Sequence, residues 1–272
     1  MVFQMQLLGR TYKLLSPPND ISIAVDFSGA QPSMFGVPPA TSAPYKGDGW
    51  VGDTREGSSC NFETITITPH CNGTHTECVG HITHRRVALP RVMSDVLVPA
   101  VLVTVEPQPL AGSGESYVPQ PDAADRLILR SQLEAALSAQ PREWLQAVVI
   151  RTLPNGGDKR TRNHSEHTPT FLSNDAMQYL HDLGVQHLLL DLPSVDRMHD
   201  EGKLTNHHIW WDIPQGSFEY DPEHVSYRTI TEMVYVPNRL RDGRYVLNLQ
   251  FAPFLGDAAP SRPVLFELKE IQ

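Results

Sequence analysis

Short apolar runs alternate along the chain with polar, turn-rich stretches, and the period of each run separates strands from helices. Ile21-Ser22-Ile23-Ala24-Val25 alternates apolar and small residues, which predicts a strand that turns out at Asp26-Phe27-Ser28-Gly29. Residues 62–68 alternate with β-branched side chains and predict a second strand. Residues 96–98 and 101–105 read as strand broken near Pro99, and residues 147–151 and 185–190 as buried strands. Residues 233–236, 245–251 and 263–266 complete the strand-like set.

Two segments carry a helical period instead. Residues 131–137 place Leu133 and Leu137 on one face. Residues 173–184 begin at Ser173, repeat apolar residues at Met177, Leu180 and Leu183, and stop at Gly184. Strand, helix, strand over 147–191 implies a right-handed βαβ crossover and a parallel pair. Ligands of such sheets gather at the carboxyl ends of strands, which draws notice to Asp191-Leu192-Pro193-Ser194-Val195-Asp196. Residues 31–57 and 107–122 lack periodicity and read as long loops, a class that tends to be functional. With no repeat and no linker, the expectation is one mixed α/β domain over residues 1–272.

Composition narrows the partners. The net charge is −9 and no dense basic stripe is present, so nucleic acid is not expected as a partner. Lys159-Arg160-Thr161-Arg162 reads as a solvated loop. No run of eighteen apolar residues predicts a membrane span. The N-terminus lacks the basic region and cleavage site of a signal peptide, so a cytoplasmic location is expected. Cys60, Cys71 and Cys78 form an odd set without a C-x2-C pair, which fits a reducing compartment rather than a disulfide framework.

The chemistry concentrates in Pro69-His70-Cys71-Asn72-Gly73-Thr74-His75-Thr76-Glu77-Cys78-Val79-Gly80-His81. Three imidazoles and a carboxylate fall around a turn-forming Asn-Gly pair. Imidazole and carboxylate are the usual ligands of a catalytic divalent ion, and three protein ligands leave a position open. A Ser-His-Asp reading of Ser194 fails, because no G-x-S-x-G elbow surrounds it.

This stretch resembles the signature H-x-G-T-H-x-D-x-P-x-H of the cyclase family of metal-dependent hydrolases, which includes kynurenine formamidase and isatin hydrolase. Val25-Asp26-Phe27-Ser28 resembles the family's D-x-S strand end, and residues 183–196 its G-x-D-x-x-S-x-D segment. Asn206-His207-His208-Ile209-Trp210-Trp211 resembles its second histidine motif, and Ile230-Thr231-Glu232-Met233 its glutamate. The order holds over roughly residues 20–268. Three departures stand out. Glu77 replaces the family's aspartate, His70 and His75 are one residue further apart, and an insertion at 216–229 separates His207 from Glu232.

The resemblance implies a swivelling β/β/α (cyclase-like) fold. It implies one or two divalent ions, zinc or manganese, held by His70, His75, Glu77, His207 and Glu232, with His81 as the catalytic base. Cys71 competes with His70 for one ligand position, and a bulge at the strand end would admit His70. His208 competes with His207, since in a strand only one of the two faces the pocket. Trp210, Trp211 and Phe35 are candidates for an aromatic pocket or for the core. His84, His164 and His167 read as solvated, and Asp191 and Asp196 as fixing the loop after a strand. The implied activity is hydrolysis of a C–N amide bond in a small, aromatic substrate, as in an arylformamidase. The alternatives are ring-opening of a cyclic amide such as isatin, or a metal- or small-molecule-binding protein with little turnover. The resemblance also implies a homodimer or homotetramer.

Overall fold

A strand of only three residues, His75–Glu77, completes a ring of seven strands that closes on itself. The structure is a computed structural model and describes residues 3–271. The ring comprises β1 (His75–Glu77), β2 (Leu97–Val105), β3 (Ala147–Thr152), β4 (His187–Leu190), β5 (Thr229–Glu232), β6 (Gly243–Phe251) and β7 (Ala258–Phe266). Its order is β6-β2-β3-β4-β5-β1-β7, and β7 pairs back onto β6. The run β2-β3-β4-β5 is parallel, while every ladder touching β1, β6 or β7 is antiparallel. This is the mixed-sheet α/β fold expected, with the parallel βαβ unit at β3 and β4.

β2, β3 and β4 read as continuous apolar runs because both of their faces are covered. Outward-facing Val101, Val103, Val148, Ile150, Leu188 and Leu190 pack against helices α1 (Arg130–Leu137), α2 (Asn174–Asp182) and α3 (Thr205–Trp211). Ala100, Leu102, Val149, Leu189, Leu247 and Leu265 fill the interior of the ring. Each large apolar side chain so buried contributes about 1.5–3 kcal/mol relative to exposure. The crossover helix α2 starts where Ser173 Oγ accepts the Ala176 N–H at 3.0 Å. It ends at Gly184, whose φ of +78° suits a residue without Cβ.

Several elements differ from the sequence expectation. No strand forms at 21–25; the pairing with β7 lies just before it, at Asn19–Asp20, after which the chain runs irregularly. β2 is unbroken at Pro99, which pairs with Val246 of β6 and precedes the first ladder partner on β3. The missing N–H therefore interrupts little. The strand expected at 233–236 lies earlier, ending at Glu232, and Met233 turns out of it with φ +52°. The segment 31–57 is not wholly irregular: Thr41–Pro44 pairs with Glu63–Thr66 in an exposed ribbon. A three-stranded sheet of Phe3–Leu7, Arg10–Leu14 and Leu268–Ile271, not anticipated from the pattern, lies outside the ring.

Candidate metal centre

β1 fixes the centre of the site. Thr76 faces the ring interior, where its hydroxyl meets Thr231 Oγ1 at 2.8 Å. Strand alternation then turns His75 and Glu77 to the outer face, beneath α3. Ladder partners bring Glu232 opposite His75 on that face. His75, Glu77 and Glu232 are all buried, and their ligand atoms lie within 4.8 Å of one another.

His75 is locked from behind. Its Nδ1 lies 3.0 Å from the Gly73 carbonyl, to which it donates. Its Nε2 is aimed inward, fully buried and without a hydrogen-bond partner, 3.4 Å from Glu232 Oε2. A ring nitrogen with no partner set against a buried carboxylate is an arrangement that a cation between them would satisfy. The donor set, imidazole nitrogen with carboxylate oxygen, suits a divalent transition ion.

His70 reaches the cluster from a helical turn, Pro69–Asn72, rather than from the strand-end bulge expected. Pro69 opens the turn, and Asn72 holds it by accepting the Thr68 N–H at 2.7 Å and donating to Pro38 O at 3.1 Å. The turn takes up the extra residue between His70 and His75. His70 Nε2 lies 3.4 Å from Glu77 Oε2, and His81 Nε2 lies 3.8 Å from the same oxygen. His70, Glu77 and His81 thus form a second group able to hold an ion, and Cys71 is in neither group. The His70 and His81 rings stack with centroids 4.5 Å apart, each about a quarter exposed at the lip of the site.

The histidine pair at 207–208 lies on helix α3, not on a strand. His207 Nε2 points down to Glu77 Oε1 at 3.2 Å, whereas His208 Nδ1 bonds the Ile213 carbonyl on the other side. Behind His207 sits Asp196, whose Oδ2 accepts from Nδ1 at 2.6 Å.

The field of the site is set by its carboxylates. Burial pushes the Glu77 pKa up, but the imidazoles of His81, His207 and His70 reverse this and hold it well below the usual carboxylate range. Burial and the neighbouring Glu77 charge push Glu232 upward. Burial would lower His207, yet Asp196 and Glu77 raise it well above the ordinary histidine value. The opposed directions at Glu77 and Glu232 are the behaviour of two acids sharing one pocket.

Asp257 joins the cluster although no motif in the sequence marks it. It precedes β7, and its Oδ2 lies 3.1 Å from His70 Nε2 and 3.6 Å from His81 Nδ1. His70 and His81 hold its pKa far below the ordinary range. An isolated aspartate in a Gly-Asp turn gives no periodic or spacing signal. Other expectations change as well. His164 is buried, and burial lowers its pKa to about 4. Lys159 is buried too, bonded to Asp191 Oδ2 and Thr152. Trp210 and Trp211 belong to the core, and Phe35 is exposed. The 216–229 insertion walls a cavity of about 630 Å³ that Trp211 also lines, and the Trp211 and His207 ring centroids lie 5.4 Å apart.

A closed mixed ring with a histidine and carboxylate cluster under one helix is the fold of cyclase-type metal-dependent hydrolases. The Cyclase family model, described as "Putative cyclase", matches residues 19–197. The chain belongs to this family. The match takes in His70, His75, Glu77 and His81 and stops short of His207, Glu232 and Asp257.

Among solved structures, a "predicted metal-dependent hydrolase" from Bacillus stearothermophilus is similar at 17% identity with a TM-score of 0.55, over 92% of this chain and 97% of that one. A potential metal-dependent hydrolase with cyclase activity is similar at 18% identity and TM-score 0.57, over 92% and 98%. Isatin hydrolase A from Labrenzia aggregata is similar at 13% identity and TM-score 0.58, over 91% and 92%. No curated protein matches the chain.

Proposed function

We propose that the protein is a divalent-metal-dependent hydrolase that cleaves a C–N amide bond of a small, aromatic substrate, in the manner of an arylformamidase. The observation that carries this reading is the buried, unpartnered Nε2 of His75 facing the carboxylates of Glu232 and Glu77. His70, His75, Glu77, His207 and Glu232 are the residues that would hold zinc or manganese, as one ion or as two with Glu77 shared. A divalent ion there supplies an acidified water and a polarised substrate carbonyl.

The remaining work falls to this chain's own groups. His81 stands at the lip with Nε2 turned to Glu77, placed to take a proton from attacking water and pass it to the departing nitrogen. The stacked His70 and His81 rings stand at the lip, where a planar aromatic substrate would enter. α3 covers the site, with Trp211 packed beside the His207 ring, and its inner residues His75, Glu77 and Glu232 are buried from bulk water. The same groups serve the ring-opening of a cyclic amide such as isatin, since the bond broken is again C–N. By resemblance the working form is a homodimer or homotetramer, a point that light scattering decides.

The test is to quantify zinc and manganese in the purified protein and to assay N-formylkynurenine and isatin beside His81→Ala. Formamide cleavage that collapses in His81→Ala with metal retained at the inner group of His75, Glu77 and Glu232 is the expected result. Cleavage of isatin alone moves the reading to the cyclic amide. Bound metal with no amide hydrolysis overturns the enzyme reading and leaves a binding protein.

A further inference from the structure

We infer that Asp196 and Tyr117 form a positioning pair that aims His207 at the ion site, which makes the 107–122 loop part of the catalytic framework. The inference rests on the metal-centre reading above and adds to it residues that never touch the ion.

The four bonds at Asp196 carry the argument. Its Oδ2 accepts from His207 Nδ1 at 2.6 Å and from the His207 backbone N–H at 3.1 Å. Its Oδ1 accepts from the Asn206 N–H at 2.9 Å and from the Tyr117 hydroxyl at 2.8 Å. The carboxylate is buried, and every direction in which it can accept is taken. It has no freedom to follow the imidazole, so the imidazole follows it. A proton held on Nδ1 leaves Nε2 as the nitrogen presented to Glu77, 3.2 Å away. His75 has its own anchor in the Gly73 carbonyl, and Asp196 does for His207 on the helix what that carbonyl does on the strand.

Tyr117 sets the position of the carboxylate itself. It is buried, packs at a tilt against Phe171 with ring centroids 4.6 Å apart, and also accepts the Arg197 N–H at 2.9 Å. One hydroxyl thus joins the 107–122 loop to both residues that follow Val195. Val195 in turn donates its N–H to Glu232 Oε1 at 3.1 Å. The segment 195–197 therefore touches both His207 and Glu232, and Tyr117 holds that segment in place.

A plain helix-capping role for Asp196 makes a different prediction. Asparagine caps a helix about as well as aspartate. Asp196→Asn keeps the cap while removing the charge that fixes the imidazole proton. The experiment compares wild type, Asp196→Asn, Asp196→Glu and Tyr117→Phe as full-length purified protein. It reads zinc affinity by competition with a chromophoric chelator, and the His207 tautomer by side-chain ¹⁵N NMR assigned with His207→Gln.

The expected result is an Nδ1–H signature for His207 in wild type, lost in Asp196→Asn. Zinc affinity in that variant should fall about tenfold to a hundredfold. Asp196→Glu should recover part of both readouts, and Tyr117→Phe should lower zinc affinity by less than Asp196→Asn. Wild-type tautomer and zinc affinity in Asp196→Asn would overturn the inference and leave a cap. Neither readout uses substrate, so failure to hydrolyse any amide sinks the proposed reaction without touching this pair. Should wild type bind no zinc, the tautomer comparison alone decides.

Discussion

Glu77 Oε1 lies 3.2 Å from His207 Nε2, although 130 positions separate the two residues in the chain. The second oxygen of the same carboxylate faces His70 and His81. One side chain therefore joins every imidazole that approaches from outside the ladder. Glu77→Gln should remove this shared anion and lower metal content and hydrolysis on the order of a hundredfold or more. Glu77→Asp restores the family's residue but withdraws the carboxylate by one methylene. It should keep metal at the inner group while weakening it at the outer one, which metal stoichiometry by mass spectrometry would show.

The two candidates for the first ligand part company under substitution. Burial and the Glu232 charge raise the Cys71 thiol pKa, which works against a thiolate at neutral pH. Cys71→Ala should retain full metal content, whereas His70→Ala should lose metal from the outer group. Equal loss in both variants would contradict this division.

Asp257 is expected to act on the outer group only. Asp257→Asn should weaken metal binding or turnover there, with no more than a small change in the thermal midpoint, because its side chain is partly exposed. Calorimetric titration of the variant with zinc, compared with its melting curve, separates the two effects.

Acid should destabilise the fold through histidines far from the site. Burial lowers the pKa of His187 from 6.5 to about 4, and His164 behaves alike. Between about pH 6.5 and pH 4 the unfolded chain takes up protons that the folded chain refuses. Stability is therefore intact above that window and falls as pH drops through it, by up to about 3 kcal/mol for each group. Urea midpoints at pH 7 and pH 4.5 should differ in wild type and converge in His187→Gln/His164→Gln.

The buried pair Lys159–Asp191 gives a contrast of another kind, with Nζ 2.7 Å from Oδ2. Removing one partner, as in Lys159→Met, should destabilise by about 3–5 kcal/mol, because an uncompensated carboxylate remains inside. The double variant Lys159→Met/Asp191→Leu should recover most of that loss in chemical denaturation.

Periodicity made the parallel half of the ring legible. β3, α2 and β4 could be read directly, since unbroken Val, Leu and Ile runs mean two covered faces, and Ser173 and Gly184 mark the helix ends. The β1 strand could not, because three residues carry no period. Met233 was read as strand because an apolar run does not reveal where a ladder stops. In the site, His70, His75, Glu77 and His81 were visible from local spacing. Asp196 was noticed as a loop residue but not as the partner of His207, which lies eleven positions on and meets it only after α3 folds back. Asp257 depends on a contact between two turns distant in sequence, and no pattern along the chain encodes that contact. The charge run around Lys159 looks solvated along the chain, because its buried carboxylate partner lies 32 positions away.

The helical turn at Pro69–Asn72 separates the site into two halves with different histories open to them. His75, Glu77 and Glu232 stand on rungs shared by neighbouring strands, so moving any one would slip a register in a closed ring. His70, His81 and Asp257 stand on turns that can gain or lose a residue while the rungs stay in place. Such a construction lets a lineage retune which molecule is admitted at the lip by editing loop lengths. The inner cluster of His75, Glu77 and Glu232 stays the same throughout.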